Sequence, residues 1–158
     1  TYYWAGQNDK AIEQYKKAID LDSNFAKAHD GLADAYGRKK MYTEAIEEEQ
    51  KYLKLAGDEE GAEILVKDFE TYGYEKAKTN QFERALQFWN EVAQGQYVSP
   101  ITFAIIYSQL NQKDQAFVWL EKCYQERTPW LVSLKTDPQL ENLHSDPPFA
   151  NLVKRIGL

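Results

Sequence analysis

The chain has 158 residues, and its 19 basic and 25 acidic side chains give a formal net charge of −6 at pH 7. This acidic balance provides no general attraction for phosphate backbones, and no apolar stretch approaches the length of a bilayer span, so we expect neither nucleic-acid binding nor membrane insertion by this segment. Cys123 is the only cysteine, which excludes an internal disulfide and fits a cytoplasmic location.

The sequence follows a helical pattern from its first residues, and we therefore expect it to be a piece of a longer protein. Apolar side chains recur at helical spacing over residues 9–21, 24–37 and 43–55, which predicts three amphipathic helices. Short polar segments predict the turns, at residues 6–8, 38–40, 79–81 and 111–113.

A repeating spacing links these elements. Ala11 and Ala45 lie 34 residues apart, and corresponding alanines follow at Ala85 and Ala116, after 40 and 31 residues. A period of this length is typical of helical-repeat arrays. The longer interval of 40 residues predicts an extended first helix in the third hairpin, over about residues 59–79. The pattern predicts four helical hairpins, at about residues 1–23, 24–57, 58–96 and 97–127.

The last segment, residues 128–158, carries a shorter duplication. Asp137-Pro138 is echoed nine residues later by Asp146-Pro147. Aspartate followed by proline is a strong helix start, because the carboxylate accepts free backbone amides and proline has none to lose. We therefore predict two short helices that cap the array and cover its last apolar face.

The hairpin pattern resembles the tetratricopeptide repeat family over about residues 1–127. In that family small residues lie where paired helices cross, and Ala33, Gly73 and Ala104 resemble those residues here. The resemblance implies an all-α fold, a right-handed α-α superhelix of about four hairpins followed by short C-terminal capping helices. Residues 113–158 are similar to the C-terminal ends of bacterial multidomain regulators, in which such an array follows a signalling module.

No pattern of catalytic, metal-binding or cofactor-binding residues emerges from the sequence, and we predict no enzyme activity, metal or cofactor. Asp20-x-Asp22-x-Asn24 lacks the glycine and glutamate of a calcium loop. His29 is expected to pack against the paired helix, and Cys123 to be a buried, inert thiol. The run of glutamates at residues 47–49 is interpreted as a solvated helix face.

The resemblance implies a concave groove lined by the first helices of the hairpins. In the predicted groove, charged positions give way to apolar ones toward the C-terminus. Asp30 and Asp34 occupy places where some family members grip a partner's terminal carboxylate, so a basic and apolar segment fits better than an acidic tail. The predicted groove residues are Lys27, Asp30, Asp34, Arg38, Lys67, Glu70, Tyr74, Lys78, Ile101, Ile105 and Ser108, with Tyr3 in the first hairpin.

We therefore interpret the chain as a non-catalytic protein-protein interaction module, the C-terminal repeat region of a larger bacterial regulatory or signalling protein. Its partner is a protein or peptide of unknown identity. The alternative is a structural or oligomerisation spacer, in which the apolar groove positions are covered by the chain's own cap or by a second copy in a homodimer. An enzyme is a remote third interpretation.

Overall fold

The computed structural model describes residues 2–158, with side chains from residue 8 onward, so the prediction for the Tyr3 side chain lies outside the described residues. The described chain is helical and contains no β-strand, which confirms the all-α prediction. The α-helices are α1 (Tyr2–Leu21), α2 (Ala26–Arg38), α3 (Tyr42–Leu55), α4 (Glu59–Tyr72), α5 (Tyr74–Val92), α6 (Pro100–Gln109), α7 (Lys113–Gln125) and α8 (Pro147–Ile156). Two 3₁₀ helices, Pro129–Ser133 and Pro138–Leu143, lie between α7 and α8.

Packing divides the chain into two compact units, Thr1–Gln81 and Phe82–Leu158, and the boundary falls inside α5. In the first unit α1 packs against α2, α2 against α3, and α3 against α4. In the second unit α6 packs against α7, and the segment after α7 folds back onto both. Consecutive packing of this kind is what a helical-hairpin repeat requires.

Two of the four predicted turns are present. Backbone at Lys40 and Asn111 takes φ values of 60° and 55° and reverses the chain before α3 and α7. The turn predicted at residues 6–8 is wrong, because α1 continues through a polar triplet that contains no proline. The turn predicted at residues 79–81 is wrong as well, because α5 runs through it.

The predicted long helix over residues 59–79 is instead two helices separated by Gly73. This glycine takes φ 82° and ψ 176°, a conformation that a residue with a β-carbon adopts only under strain. The polar residues that suggested a later turn have partners within the first unit. Asn80 donates to Asp68 over 3.0 Å, and Gln81 donates to Glu49 over 2.7 Å.

The core of the first unit follows the predicted apolar stripes. Leu32, Tyr36 and Ala45 form one buried cluster, against which side chains of α1 pack. Gly31 allows α1 to approach closely, because a β-carbon at this position would lie 2.3 Å from the Tyr15 ring. A second cluster joins α3, α4 and the start of α5 through Ile46, Leu53, Ala62, Leu65 and Ala77.

His29 ties α2 to α3, as predicted for a packed histidine. The side chain is buried, with Nδ1 2.6 Å from Glu48 Oε2 and Nε2 3.0 Å from the Ser23 carbonyl oxygen. Both facing atoms are acceptors, so an imidazolium can donate to both at once. Burial raises the Glu48 pKa, but hydrogen bonds from Lys51 and His29 outweigh it and hold the pKa below its usual value.

The second unit is organised around its C-terminal segment. Leu134, Leu140 and Leu143 are fully buried with Leu120 of α7, and Phe149 joins the same core. The predicted helix starts differ in detail. Asp137 accepts a hydrogen bond from the Gln139 amide over 2.9 Å, as an N-cap should, whereas Asp146 forms an ion pair with Lys113 over 2.7 Å.

A polar clasp joins the Pro138–Leu143 helix to the end of α6. Ser108, which is fully buried, donates to Asn142 Oδ1 over 2.6 Å and contacts the Gln139 carbonyl oxygen at 3.1 Å. In return Asn142 donates to the Ser108 carbonyl oxygen over 2.8 Å, and Gln109 donates to the Gln139 carbonyl oxygen over 2.6 Å. The clasp fixes the register of the capping segment on α6.

Replacing the inter-helix histidine should destabilise the first unit. His29→Ala removes the donor to the Ser23 carbonyl and one of the two donors to Glu48, which keeps Lys51, and we expect the free energy of unfolding to fall by about 1–3 kcal/mol. Chemical denaturation followed by circular dichroism measures the change. His144→Ala is the matched control, because His144 is exposed and stacks only on Phe149. Equal losses in the two variants would contradict the inter-helix tie.

Removing the clasp hydroxyl tests how the cap is held. Ser108→Ala deletes the donor to Asn142, and we expect a loss of about 1 kcal/mol in the free energy of unfolding, because the hydrogen bond from the buried Ser108 hydroxyl to the exposed Asn142 side chain is lost. Ser145→Ala changes an exposed serine in the same segment and should stay within about 0.5 kcal/mol of the parent chain. A Ser108→Ala variant as stable as the control would show that the clasp does not hold the cap.

Candidate functional site

The predicted groove residues of the first unit fall into an exposed set and a half-buried set. Lys27, Arg38, Lys67 and Glu70 are exposed, the first two on α2 and the others on α4. Asp30, Asp34, Tyr74 and Lys78 are half-buried. The half-buried set, rather than the exposed one, is brought together.

Three acidic side chains share one region between α2 and α3. Asp30 and Asp34 lie one turn apart on α2. The charges of Asp34 and of Glu49 on α3 both raise the pKa of Asp30, and both also raise the pKa of Tyr74. Glu49 is buried, with a relative exposure of 5%, and accepts from Gln81. Lys78 of α5 pairs with Glu49 over 3.2 Å. We call Asp30, Asp34 and Glu49 the carboxylate cluster.

Asp30 is the member of the carboxylate cluster with the most perturbed titration. Burial, followed by the charges of Asp34 and Glu49, raises its pKa to about 7, and Lys78 and Lys27 offset only part of this shift. Its carboxylate makes no hydrogen bond or ion pair with any other residue that the structure describes. The cluster therefore holds a carboxyl group whose charge is poorly compensated near neutral pH.

The field of the cluster reaches the neighbouring tyrosines. Burial, with Asp30 and Glu49, raises the pKa of Tyr52 on α3. Tyr52 is half-buried, so its ring and hydroxyl border the cluster without being covered. This combination of carboxylates and an aromatic ring can receive a cationic side chain together with an apolar neighbour.

Tyr74 was predicted to line the groove, and the structure places it within the chain's own packing. Its ring stacks on Tyr42 with centroids 4.4 Å apart. A β-carbon at Gly37 would lie 2.3 Å from the Tyr74 hydroxyl oxygen, so this glycine makes room for it. Tyr74 therefore positions the start of α5 against α2 and α3.

The predicted groove residues of the second unit pack within the chain itself. Ile101 and Ile105 pack against the core that contains Leu140 and Leu143, and Ser108 is fully buried in the clasp. Both isoleucines are half-buried, and residues 128–158 contribute part of the core on which they pack. The spacer interpretation requires packing of this kind, in which the chain's own capping segment lies against the apolar groove positions.

Sequence reasoning missed two residues of the cluster environment, Glu49 and Gln81. The glutamate run at 47–49 was read as a solvated face, but only Glu47 is exposed, Glu48 is half-buried and Glu49 is buried. The burial of Glu49 could have been predicted from its spacing, because Glu49 lies on the same helix face as the apolar residues Ile46 and Leu53. Gln81 gave no signal, since its role depends on α5 continuing past residue 79.

Other chemistry is limited in the described part of the chain. No three His, Cys, Asp or Glu side chains among the described residues are grouped to hold a metal ion. None of the described helices combines the length and the apolar character that crossing a bilayer needs. Cys123 is buried as predicted, and burial raises the pKa of its thiol to about 11.

Comparison with known proteins identifies the repeat. Residues 1–40, which span α1 and α2, match a family model described as TPR repeat. No solved structure matches the chain. The match covers the first unit's opening helices, and the consecutive packing of the helices continues the same plan beyond it. Together, the family match and the helical-repeat fold support the assignment of this chain to the tetratricopeptide repeat family.

Proposed function

We propose that this chain is a non-catalytic protein-protein interaction module whose carboxylate cluster binds a basic, partly apolar segment of another protein. Tetratricopeptide repeats generally mediate interactions between proteins, and residues 1–40 match that family. The similarity of residues 113–158 to the C-terminal ends of bacterial regulators supports a place within a larger bacterial regulatory or signalling protein.

The observation that carries the proposal is the state of Asp30. A half-buried carboxylate beside two others, without a hydrogen bond or ion pair among the described residues, costs folding free energy. Asparagine has nearly the same shape and would avoid the charge. Residues that destabilise a fold without a structural task are typical of binding sites.

A cation from a partner would supply the ion pair that Asp30 lacks among the described residues. A lysine or arginine side chain placed near Asp30 would meet the negative field of Asp34 and Glu49 as well. An acidic tail would meet the same field with the opposite sign. The half-buried Tyr52 ring offers contact area to an apolar or cationic neighbour in the bound segment.

The packing of the second unit supports a structural role for that part of the array. Its apolar groove positions, Ile101 and Ile105, pack against the core of the capping segment. We therefore assign binding to the first unit and stabilisation of the array's end to the second.

The cost of Asp30 predicts a stabilising substitution. The folded-state pKa of about 7 lies above the unfolded value of 3.8, so the stability contributed by the protonated group is present at low pH and lost as pH rises through about 7. We expect Asp30→Asn to raise the free energy of unfolding by about 2 kcal/mol at pH 8, with a gain that shrinks as pH falls toward 4.

Urea denaturation across this pH range measures the gain. Glu83→Gln is the control, because Glu83 is an exposed carboxylate on α5, and its effect should be small and independent of pH. A destabilising Asp30→Asn substitution at pH 8 would show that the carboxylate has a structural task.

The same substitution should weaken binding. A displayed library of random 12-residue peptides, selected at pH 8 on the parent chain, should become enriched in lysine and arginine with apolar neighbours. The strongest peptide should bind the Asp30→Asn variant about tenfold more weakly, since one charge-assisted contact is lost. Fluorescence anisotropy measures both affinities, and the affinity of the parent chain should rise from pH 6 to pH 8 as Asp30 ionises.

Because Asp30→Asn is expected to stabilise the fold, weaker binding cannot be attributed to unfolding. Enrichment of acidic peptides, or equal affinity of the two chains for the selected peptide, would refute the assignment of the partner segment to the carboxylate cluster. Glu83→Gln should bind like the parent chain.

A further inference from the structure

The outward face of α7 is the clearest surface that the proposed function does not use. It borders a shallow groove of about 590 Å³, which is lined by Asp114, Phe117, Val118, Lys122, Gln125 and Pro148 among others. All of these residues belong to the Phe82–Leu158 unit. The α7 positions recur at spacings of three and four residues and so lie along one side of the helix.

Val118 is the apolar centre of this face. It is 61% exposed, although α7 is otherwise packed against α6 and α8 through buried residues such as Leu120. The neighbouring Phe117 is half-buried and contributes to the groove wall. An exposed valine beside an aromatic ring provides a small apolar contact area for another protein surface.

The charged side chains of the face differ in whether they form hydrogen bonds and ion pairs within the chain. Glu121 is held by Arg155 through two hydrogen bonds of 2.7 and 2.8 Å, which leaves it engaged within the chain. The Asp114 carboxylate and the Lys122 ammonium form no hydrogen bond or ion pair with another described residue. The Lys122 ammonium lies 4.5 Å from the centroid of the Trp119 ring, which positions it at the edge of the groove.

These two charges are placed symmetrically about the valine. Asp114 lies four residues before Val118, and Lys122 lies four residues after it. On a helix this places opposite charges about 6 Å to either side of the apolar centre along one ridge. A two-fold rotation at Val118 exchanges the two ends, so that the aspartate of one copy faces the lysine of the other twice.

We propose that the outward face of α7 is a self-association surface, on which a second copy of this chain packs with its α7 antiparallel about a two-fold axis at Val118. The pattern is complementary to itself in this arrangement alone, because a parallel alignment in register sets aspartate against aspartate and lysine against lysine. The interface consists of a Val118 pair flanked by two Asp114–Lys122 ion pairs. It is separate from the carboxylate cluster and does not depend on the proposed function.

Charge exchange between variants tests the surface with the 158-residue chain. Sedimentation equilibrium at low ionic strength should show dimers of the parent chain. Asp114→Lys and Lys122→Glu should each raise the dimer dissociation constant at least tenfold, because each variant opposes like charges. An equimolar mixture of the two should form a heterodimer with near-parental affinity, because every opposed pair is then of opposite sign.

The mixture separates a lost interface from a lost fold, because unfolded variants would not recover association on mixing. Val118→Asp should also abolish the dimer, whereas Val132→Asp, which changes another exposed valine of the same unit, should not. A monomeric parent chain at the highest soluble concentration would overturn the proposal. So would single charge variants that dimerise like the parent, or a mixture that does not recover association.

Discussion

Close approach between helices at small residues is the constraint on which the rest of the structure depends. Gly31 leaves space for the Tyr15 ring between α1 and α2, and Gly37 does the same for the Tyr74 hydroxyl. Ala62, Ala77 and Ala116 are completely buried at other helix contacts. Because the backbones come close, one hairpin cannot shift without its neighbour, and the positions of the groove side chains follow from these contacts.

The sequence predicted the features that depend on periodicity. Apolar stripes identified α1 to α3, and the Asp137-Pro138 start of a capping helix is present with its N-cap hydrogen bond. It could not predict features that depend on pairing across helices. The polar residues at 79–81 resemble a turn in the sequence, but Asn80 and Gln81 donate hydrogen bonds to Asp68 and Glu49 from within a helix. The helix break lies at Gly73, where the backbone dihedral angles leave the helical range.

The candidate site shows the same division. Asp30 and Asp34 could be predicted to share a helix face with Lys27, because residues three or four apart on a helix are neighbours. Their closeness to Glu49 depends on the packing of α2 against α3, and Glu49 itself looked like part of an exposed acidic run. Ile105 was expected to line the groove, but it lies half-buried against the core that contains the leucines of the capping segment, because this packing removes apolar surface from water.

The backbone geometry of Gly73 determines where a positive charge of the first unit lies. It is the single residue between α4 and α5, so its two dihedral angles set the direction in which α5 departs. Tyr74 and Lys78 follow directly, and Lys78 supplies the positive charge beside Glu49 and Asp30. The position of the Lys78 charge, and with it the electrostatic potential at the carboxylate cluster, therefore depends on the dihedral angles of one residue that carries no charge and no side chain.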